Sequence, residues 1–435
     1  MDISADGMNE TLLGKFQQAY KDLDLFPLIE PEQIEEFRVD YGRSVRVRLQ
    51  HEIEAAASSE KIVFAGHRGC GKSTLLKQLS VEMQPNHAVI FFSISDQIEM
   101  SAVTHTNILY AIAIRLLSYA SKQQILIASD IQETLLGWND TVRKQITSDS
   151  TKGSVGIGGK WFETVSLMLQ QEKSFREDVE KTFSKKIADL VRKCDRIAAS
   201  IQLTKKQPVL VIIDDLDKLD LSKVPSIFRD NVKSLFSPGF RILFTIPIAA
   251  AQETEIVGAL NSVGIVRPRL FPVAKFFSKA DRHNPEAQPD AKQMKTFTDL
   301  LDRRIPAELI APETAQQIVL KSGGVVREVV RLARECCLEC MVQLDSDTDV
   351  IINDEILTTA LDTLRTDFER QIGSVLYELL TIIYATANPP DTGSPDFVKL
   401  LHGLMVLEYK NSSLWFDVHP IVMDLMQQKG LIEAG

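Results

Sequence analysis

Lys61-Ile62-Val63-Phe64-Ala65 runs into Gly66-His67-Arg68-Gly69-Cys70-Gly71-Lys72-Ser73-Thr74, and this stretch decides the fold. It satisfies G-x-x-x-x-G-K-[ST] at every fixed position, with a short apolar strand before it and the helix formers Leu75, Leu76, Lys77, Gln78 and Leu79 after it. Glycines at 66, 69 and 71 let the backbone turn tightly, so that successive N–H groups face one anion at the positive end of the following helix. Lys72 is expected to place a point charge on the β- and γ-phosphates of a nucleotide. Ser73 is expected in the octahedral shell of a Mg²⁺ ion and Thr74 beside the α-phosphate. His67, Arg68 and Cys70 belong to the same cradle.

Working outward, the next decisive stretch is Val209-Leu210-Val211-Ile212-Ile213-Asp214-Asp215-Leu216-Asp217. Five apolar residues in a row suit the central strand of a parallel sheet, covered on both faces. Carboxylates at its carboxyl end reach the crevice where such sheets bind ligands. Asp214 is placed to hold Mg²⁺ through water, and Asp215 to orient or deprotonate the attacking water. Arg241 to Ile246 predicts a further strand, with the Thr245 hydroxyl aimed at the γ-phosphate or that water. Another strand, Leu270 to Val273, follows Arg267-Pro268-Arg269. Either arginine is a candidate finger toward a neighbour's γ-phosphate, against the plain reading of a surface arginine.

Around these motifs the pattern is helical. Leu12, Leu13, Phe16 and Tyr20 recur at helical spacing before Pro27 and Pro31. Ala88 to Ile94 predicts a buried strand, and Ala102 to Tyr119 a helix apolar nearly all round. Residues 121–207 read as a helical insertion, broken by a flexible loop at Gly153–Gly159, with one or two long helices from Trp161 to Ser200. Ser278 to Gln293 reads as an exposed linker. Gly323-Gly324 opens a helix whose Arg327, in its first turn, is within reach of phosphate. Leu404 to Tyr409 and Leu414 to Val418 flank a turn at Lys410-Asn411-Ser412-Ser413, the outline of a winged helix whose recognition helix offers only Lys399 and His402 as polar readers. The expected organisation is an N-terminal helical segment at 1–55, an α/β P-loop NTPase core with a parallel sheet at 56–278, a linker at 279–296, an all-helical lid at 297–365 and a winged-helix domain at 366–435.

Bulk properties bound the function classes. The chain has 435 residues, a hydrophobic fraction of 44% and a charged fraction of 25%, ordinary for a folded globular protein. A net charge of −10 argues against a surface that grips nucleic acid as a whole. Five cysteines without framework spacing suit a reducing compartment, and Cys336, Cys337 and Cys340 fall on one helix without the ligands to complete a zinc site. No signal peptide and no membrane-spanning run is read, so a cytoplasmic location is expected.

The order of motifs resembles the signal-transduction (STAND-type) ATPases within the AAA+ and origin-recognition-like class. It rests on Gly66–Thr74, Asp214-Asp215, the Thr245 strand, the Gly323-Gly324 helix start with Arg327, and Asp417-Val418-His419-Pro420-Ile421-Val422-Met423-Asp424-Leu425, which looks like the winged-helix His motif of immune-receptor ATPases. The resemblance implies ATP and ADP with Mg²⁺ as cofactors, and His419 on the β-phosphate of ADP in a closed state. It implies a slowly hydrolysing switch that assembles as a homo-oligomer or hetero-complex and controls a separately encoded effector or sensor, in a role such as anti-phage defence. Gly-Gly-x-x-Arg is closer to the origin-recognition pattern, so a DNA-acting initiator or loader is the alternative. A small-molecule phosphotransferase is a third reading.

Overall fold

The computed structural model describes residues 5–139, 142, 160–346, 348–410 and 413–433. They divide into two compact units: Met1–Arg43 with Gly66–Thr74 and Phe271–Gly435, and Ser44–Ala65 with Leu75–Leu270.

The second unit is built on a parallel five-stranded sheet in the order β2-β3-β4-β1-β5, where β1 is Lys61–Gly66, β2 Ala88–Ser93, β3 Val209–Asp214, β4 Arg241–Pro247 and β5 Arg269–Phe271. β3 is buried along its whole length because strands flank it and helices cover both faces; this is why it reads as an unbroken apolar run. β2 lies at the sheet edge and alternates between buried and half-buried residues, the period of two that a strand imposes. In a parallel sheet the carboxyl ends of β1 and β3 lie on one edge. Only β4 stands between β1 and β3 in the strand order.

The insertion expected at 121–207 contains helices Ser129–Leu136, Lys160–Gln171, Lys173–Phe183 and Ile187–Lys205. Trp161, Phe175, Phe183, Leu190 and Ile197 from these helices share one core with Val211 and Ile213 of β3 and with the buried helix His105–Lys122. Its described part therefore braces the sheet. Where one or two long helices are expected from Trp161 to Ser200, three form. The helix Lys173–Phe183 turns inward so that Arg176 is buried, donating to the carbonyls of Leu169 and Gln170 and to Glu99. Gly153–Gly159 lies outside the described residues.

In the first unit the helix Ala5–Asp22 packs Phe16 and Ala19, with Leu23 just after it, into a core with the helix Val326–Gln343, whose Arg334 lies 4.0 Å over the Tyr20 ring. Cys336, Cys337 and Cys340 are buried on that second helix, and burial raises all three thiols. The chain ends with helices Leu376–Thr386 and Pro395–His402, an antiparallel hairpin of β6 (Val406–Lys410) and β7 (Leu414–Val418), and the helix Pro420–Gln428. This is the element order of a winged helix; Asn411 and Ser412 of the expected turn lie outside the described residues. The stretch read as an exposed linker is anchored: His283 stacks 3.9 Å from Tyr384 and contacts both carboxylate oxygens of buried Asp417 at 3.1 and 3.2 Å. Among the described residues no helix is long and apolar enough to cross a membrane.

Candidate functional site

Gly66 ends β1 and the helix Lys72–Met83 begins six residues later, so the glycine-rich turn joins strand to helix as its pattern requires. Gly69 and Gly71 adopt φ of +79° and +93°, the left-handed region where a side chain is strained. At Gly69 a Cβ would also come within 2.6 Å of the Arg327 Cβ, because the Arg327 backbone N–H donates to the Gly69 carbonyl at 2.9 Å. The Lys72 ammonium is buried and donates to the carbonyls of Gly66 and His67 at 2.9 and 2.7 Å, folded onto the loop it belongs to. Thr74 accepts the Leu28 backbone N–H at 3.2 Å.

Two histidines of this unit are fully buried. His67 Nε2 accepts the backbone N–H of Glu408 on β6 at 2.8 Å, which fixes the neutral ring with its proton on Nδ1, and Nδ1 has no partner. His419 caps the helix Pro420–Gln428, its Nδ1 accepting from the Ile421 N–H at 3.2 Å, which leaves the proton on Nε2. Burial pushes His67 down to about 3, helped by the charge of Lys72 and by His419; burial and then Arg331 push His419 to about 3. Both rings are neutral at physiological pH. The Gly323-Gly324 turn, at φ +63° and +83°, packs against His419: a Cβ on Gly323 would stand 2.5 Å from Leu407 and 3.6 Å from His419, and one on Gly324 would stand 1.9 Å from the Ala274 carbonyl oxygen. Lys72, His67, Arg327 and His419, picked from distant parts of the sequence, thus belong to one unit.

In the other unit Asp214 ends β3, and ligand atoms of Asp214, Asp215 and Asp217 lie within 4.8 Å of one another. Carboxylate oxygens are the donors a hard divalent cation takes, so the set fits Mg²⁺. Asp215 sits at φ +69°, a conformation Asp tolerates better than most residues. Its Oδ2 accepts from the hydroxyls of Ser93 and Ser95 at 2.6 and 2.7 Å, and Lys218 Nζ lies 2.8 Å from Oδ1. Burial alone would raise this carboxyl; the Lys218 and Ser93 hydrogen bonds, the Lys218 charge and Ser95 outweigh it and hold the group below the usual carboxylate range. Thr245 is buried in β4, donating to the Ile213 carbonyl at 3.3 Å and accepting the Leu216 N–H at 3.0 Å, so its hydroxyl pins the turn that presents the aspartates. Arg269 donates through Nε to both oxygens of Glu52 at 2.8 Å, whereas Arg267 is exposed.

Sequence reasoning passed over Ser93, Ser95, Lys218 and Glu408. The serines follow from strand register, since Ser93 pairs with Asp214 at the ends of β2 and β3, but only if the strand order is known. Glu408 contributes a backbone N–H, which no residue type announces.

Residues 48–262 match the KAP family P-loop domain. No curated protein matches the chain in sequence. Among solved structures it is similar to a Walker-type ATPase of Pyrococcus abyssi, at 14% identity over 93% of this chain and 99% of that one, with a TM-score of 0.43. It is similar to Drosophila ORC bound to DNA at 12% identity over 94% and 91%, TM-score 0.39. The Aeropyrum pernix ORC1 protein in complex with DNA gives 10% identity over 93% and 96%, TM-score 0.38. The family match, with the loop and the parallel sheet, supports a P-loop NTPase domain.

Proposed function

Taking a P-loop NTPase domain as the premise, we propose that this protein is an ATP-dependent molecular switch of the signal-transduction type, closed with ADP and open with ATP. One observation carries the reading: within the first unit the phosphate loop is held from the C-terminal side, by the Arg327 N–H on Gly69 and the Glu408 N–H on His67. A nucleotide entering that loop must act on the lid start and on the hairpin. ADP is gripped by Lys72, with His419 donating to its β-phosphate. A γ-phosphate adds a contact to Arg327. A swing from 1:99 to 99:1 between two states needs about 5.5 kcal/mol of differential binding. Charge-assisted hydrogen bonds contribute about 1.5–3 kcal/mol each, so two or three suffice.

Ser73 and Asp214 would hold Mg²⁺, the latter through water; the ion would neutralise phosphate charge. Asp215 orients the attacking water. Its basicity is lowered by Ser93, Ser95 and Lys218, which fits slow hydrolysis that acts as a timer. Asp217 joins the carboxylate set. Arg267 is a better finger toward a second copy than Arg269, which Glu52 already engages. We assign the protein to the cytoplasm, acting with a separate effector or sensor, in keeping with anti-phage defence.

A DNA-acting initiator or loader is the second reading, favoured by the Gly323-Gly324-x-x-Arg327 lid start. The mass of the protein in ATP and in ADP, with and without duplex DNA, separates the two. ATP-driven assembly without DNA that Lys72→Ala blocks and His419→Ala makes constitutive supports the switch. Assembly only on DNA, with His419→Ala behaving as wild type, refutes it.

A further inference from the structure

We propose that His67 is a two-ended relay, its Nδ1–H donating to a nucleotide phosphate while its Nε2 holds the backbone N–H of Glu408, so that the phosphate loop reports its occupancy directly to the C-terminal hairpin. The inference rests on the nucleotide-binding reading above and adds a side-chain role to a position whose motif asks nothing of it.

Four observations carry it. The ring has no exposed surface, and one of its two nitrogens is satisfied while the other is not. A buried N–H without an acceptor carries an unmet hydrogen bond, which a phosphate oxygen at the loop would satisfy. The tautomer follows from the geometry, since Nε2 accepts at 2.8 Å and the proton of a neutral ring must therefore sit on Nδ1. Lys72, the cation of the loop, bonds the His67 carbonyl at 2.7 Å and its charge acts on the ring, so an anion drawn to that ammonium arrives in the ring's surroundings.

The far end of the relay is equally defined. Glu408 lies mid-strand in β6, paired with Phe416 of β7, and the neighbouring Tyr409 hydroxyl donates to the Gly323 carbonyl at 2.8 Å. A shift of the imidazole toward a phosphate pulls on a strand already tied to the lid turn. Hydrogen bonding at Nδ1 also makes Nε2 a stronger acceptor, because the ring is polarised toward its unprotonated nitrogen. Nucleotide binding and the hold on the hairpin therefore strengthen each other, as reciprocal coupling requires.

Two substitutions separate the two ends. His67→Gln keeps an oxygen acceptor at the Nε2 position and removes the Nδ1 donor; His67→Asn keeps a short donor at the Nδ1 position and no longer reaches Glu408. The full chain is titrated with Mg-ADP by calorimetry, with Lys72→Ala as reference, and exchange of the β6 amides is followed by mass spectrometry with and without ADP. His67→Gln is expected to bind ADP about tenfold more weakly or worse and to keep its β6 protection. His67→Asn is expected to bind within about threefold of wild type, to exchange faster at β6, and to lose the effect of ADP there. Unchanged affinity in His67→Gln, or an ADP effect on β6 that survives in His67→Asn, overturns the relay while leaving nucleotide binding intact. A wild-type chain that binds no nucleotide, or one that Lys72→Ala does not impair, overturns the functional reading itself and the relay with it. The ¹⁵N-histidine spectrum of the wild type checks the ring without any variant: the proton is expected on Nδ1, shifting with ADP, and a proton on Nε2 refutes the assignment.

Discussion

Acidification is expected to loosen the phosphate-loop unit well above the pH at which carboxylates titrate. His67 and His419 have their pKa values pushed from 6.5 to about 3 by burial, so between those limits the unfolded chain takes up protons that the native chain refuses. Stability rises with pH wherever the unfolded state binds more protons; it is therefore complete above the unfolded value and drains as pH falls toward the folded one. For one ring the loss between pH 7.5 and 5.5 is close to RT ln(1 + 10^(6.5 − 5.5)), about 1.4 kcal/mol, and about 3 kcal/mol for both. That is a large share of the roughly 5–15 kcal/mol that holds a domain together. The assay is urea unfolding at pH 7.5, 6.5 and 5.5 without nucleotide, read by hydrogen exchange in peptides from 404–426. The control is the double variant His67→Gln, His419→Asn. Glutamine keeps the acceptor for Glu408 and asparagine keeps a helix cap, so the titration is removed with the bonds retained. The wild-type midpoint should fall steeply with pH and the variant midpoint much less. Equal slopes would refute the claim that these rings are held neutral.

Other outcomes follow from the same geometry. Gly324→Ala is expected to be folded poorly or not at all, since a left-handed φ and a Cβ 1.9 Å from a backbone oxygen both oppose it; soluble yield and thermal midpoint measure this. Gly69→Ala should detach the Arg327 helix start from the loop and weaken ATP binding by calorimetry, with the thermal midpoint moving less than in Gly324→Ala. Lys218→Met removes a cation 2.8 Å from Asp215, so the acid limb of the hydrolysis–pH profile should move to higher pH, while Asp215→Asn should abolish turnover and leave ATP binding intact. Arg176→Ala leaves the Leu169 and Gln170 carbonyls without their donor while Glu99 stays in solvent, and about 1–3 kcal/mol of stability should be lost in denaturant titration. Arg269→Ala breaks a half-exposed pair with Glu52 and should cost about 1 kcal/mol or less.

The features legible in the sequence have a common cause. The loop Gly66–Thr74 is legible because every donor it offers is local: consecutive backbone N–H groups, one lysine and one hydroxyl, spaced by chain geometry alone. β3 is legible because burial on both faces leaves a five-residue apolar run, and Asp214 and Asp215 because they end it. The hairpin β6–β7 is legible from two apolar runs of matched length. In the insertion, helices were visible but not their number, since helical periodicity marks a face and says little about where a chain doubles back.

The sequence by itself therefore determined the class of chemistry: a phosphate loop, a strand ending in carboxylates, and the helical and hairpin elements that follow them. Only the tertiary structure decided which partners complete those groups. Thr245, read as a reader of phosphate, is committed to the backbone of the aspartate turn; Asp215 is restrained by two serines on a neighbouring strand; His67 meets a backbone N–H from a strand 341 residues away. The physical reason is that a hydrogen-bond partner is set by where backbones converge in space. Strand order, register and a main-chain N–H carry no signature in residue type, whereas a loop that binds its ligand with its own consecutive amides does.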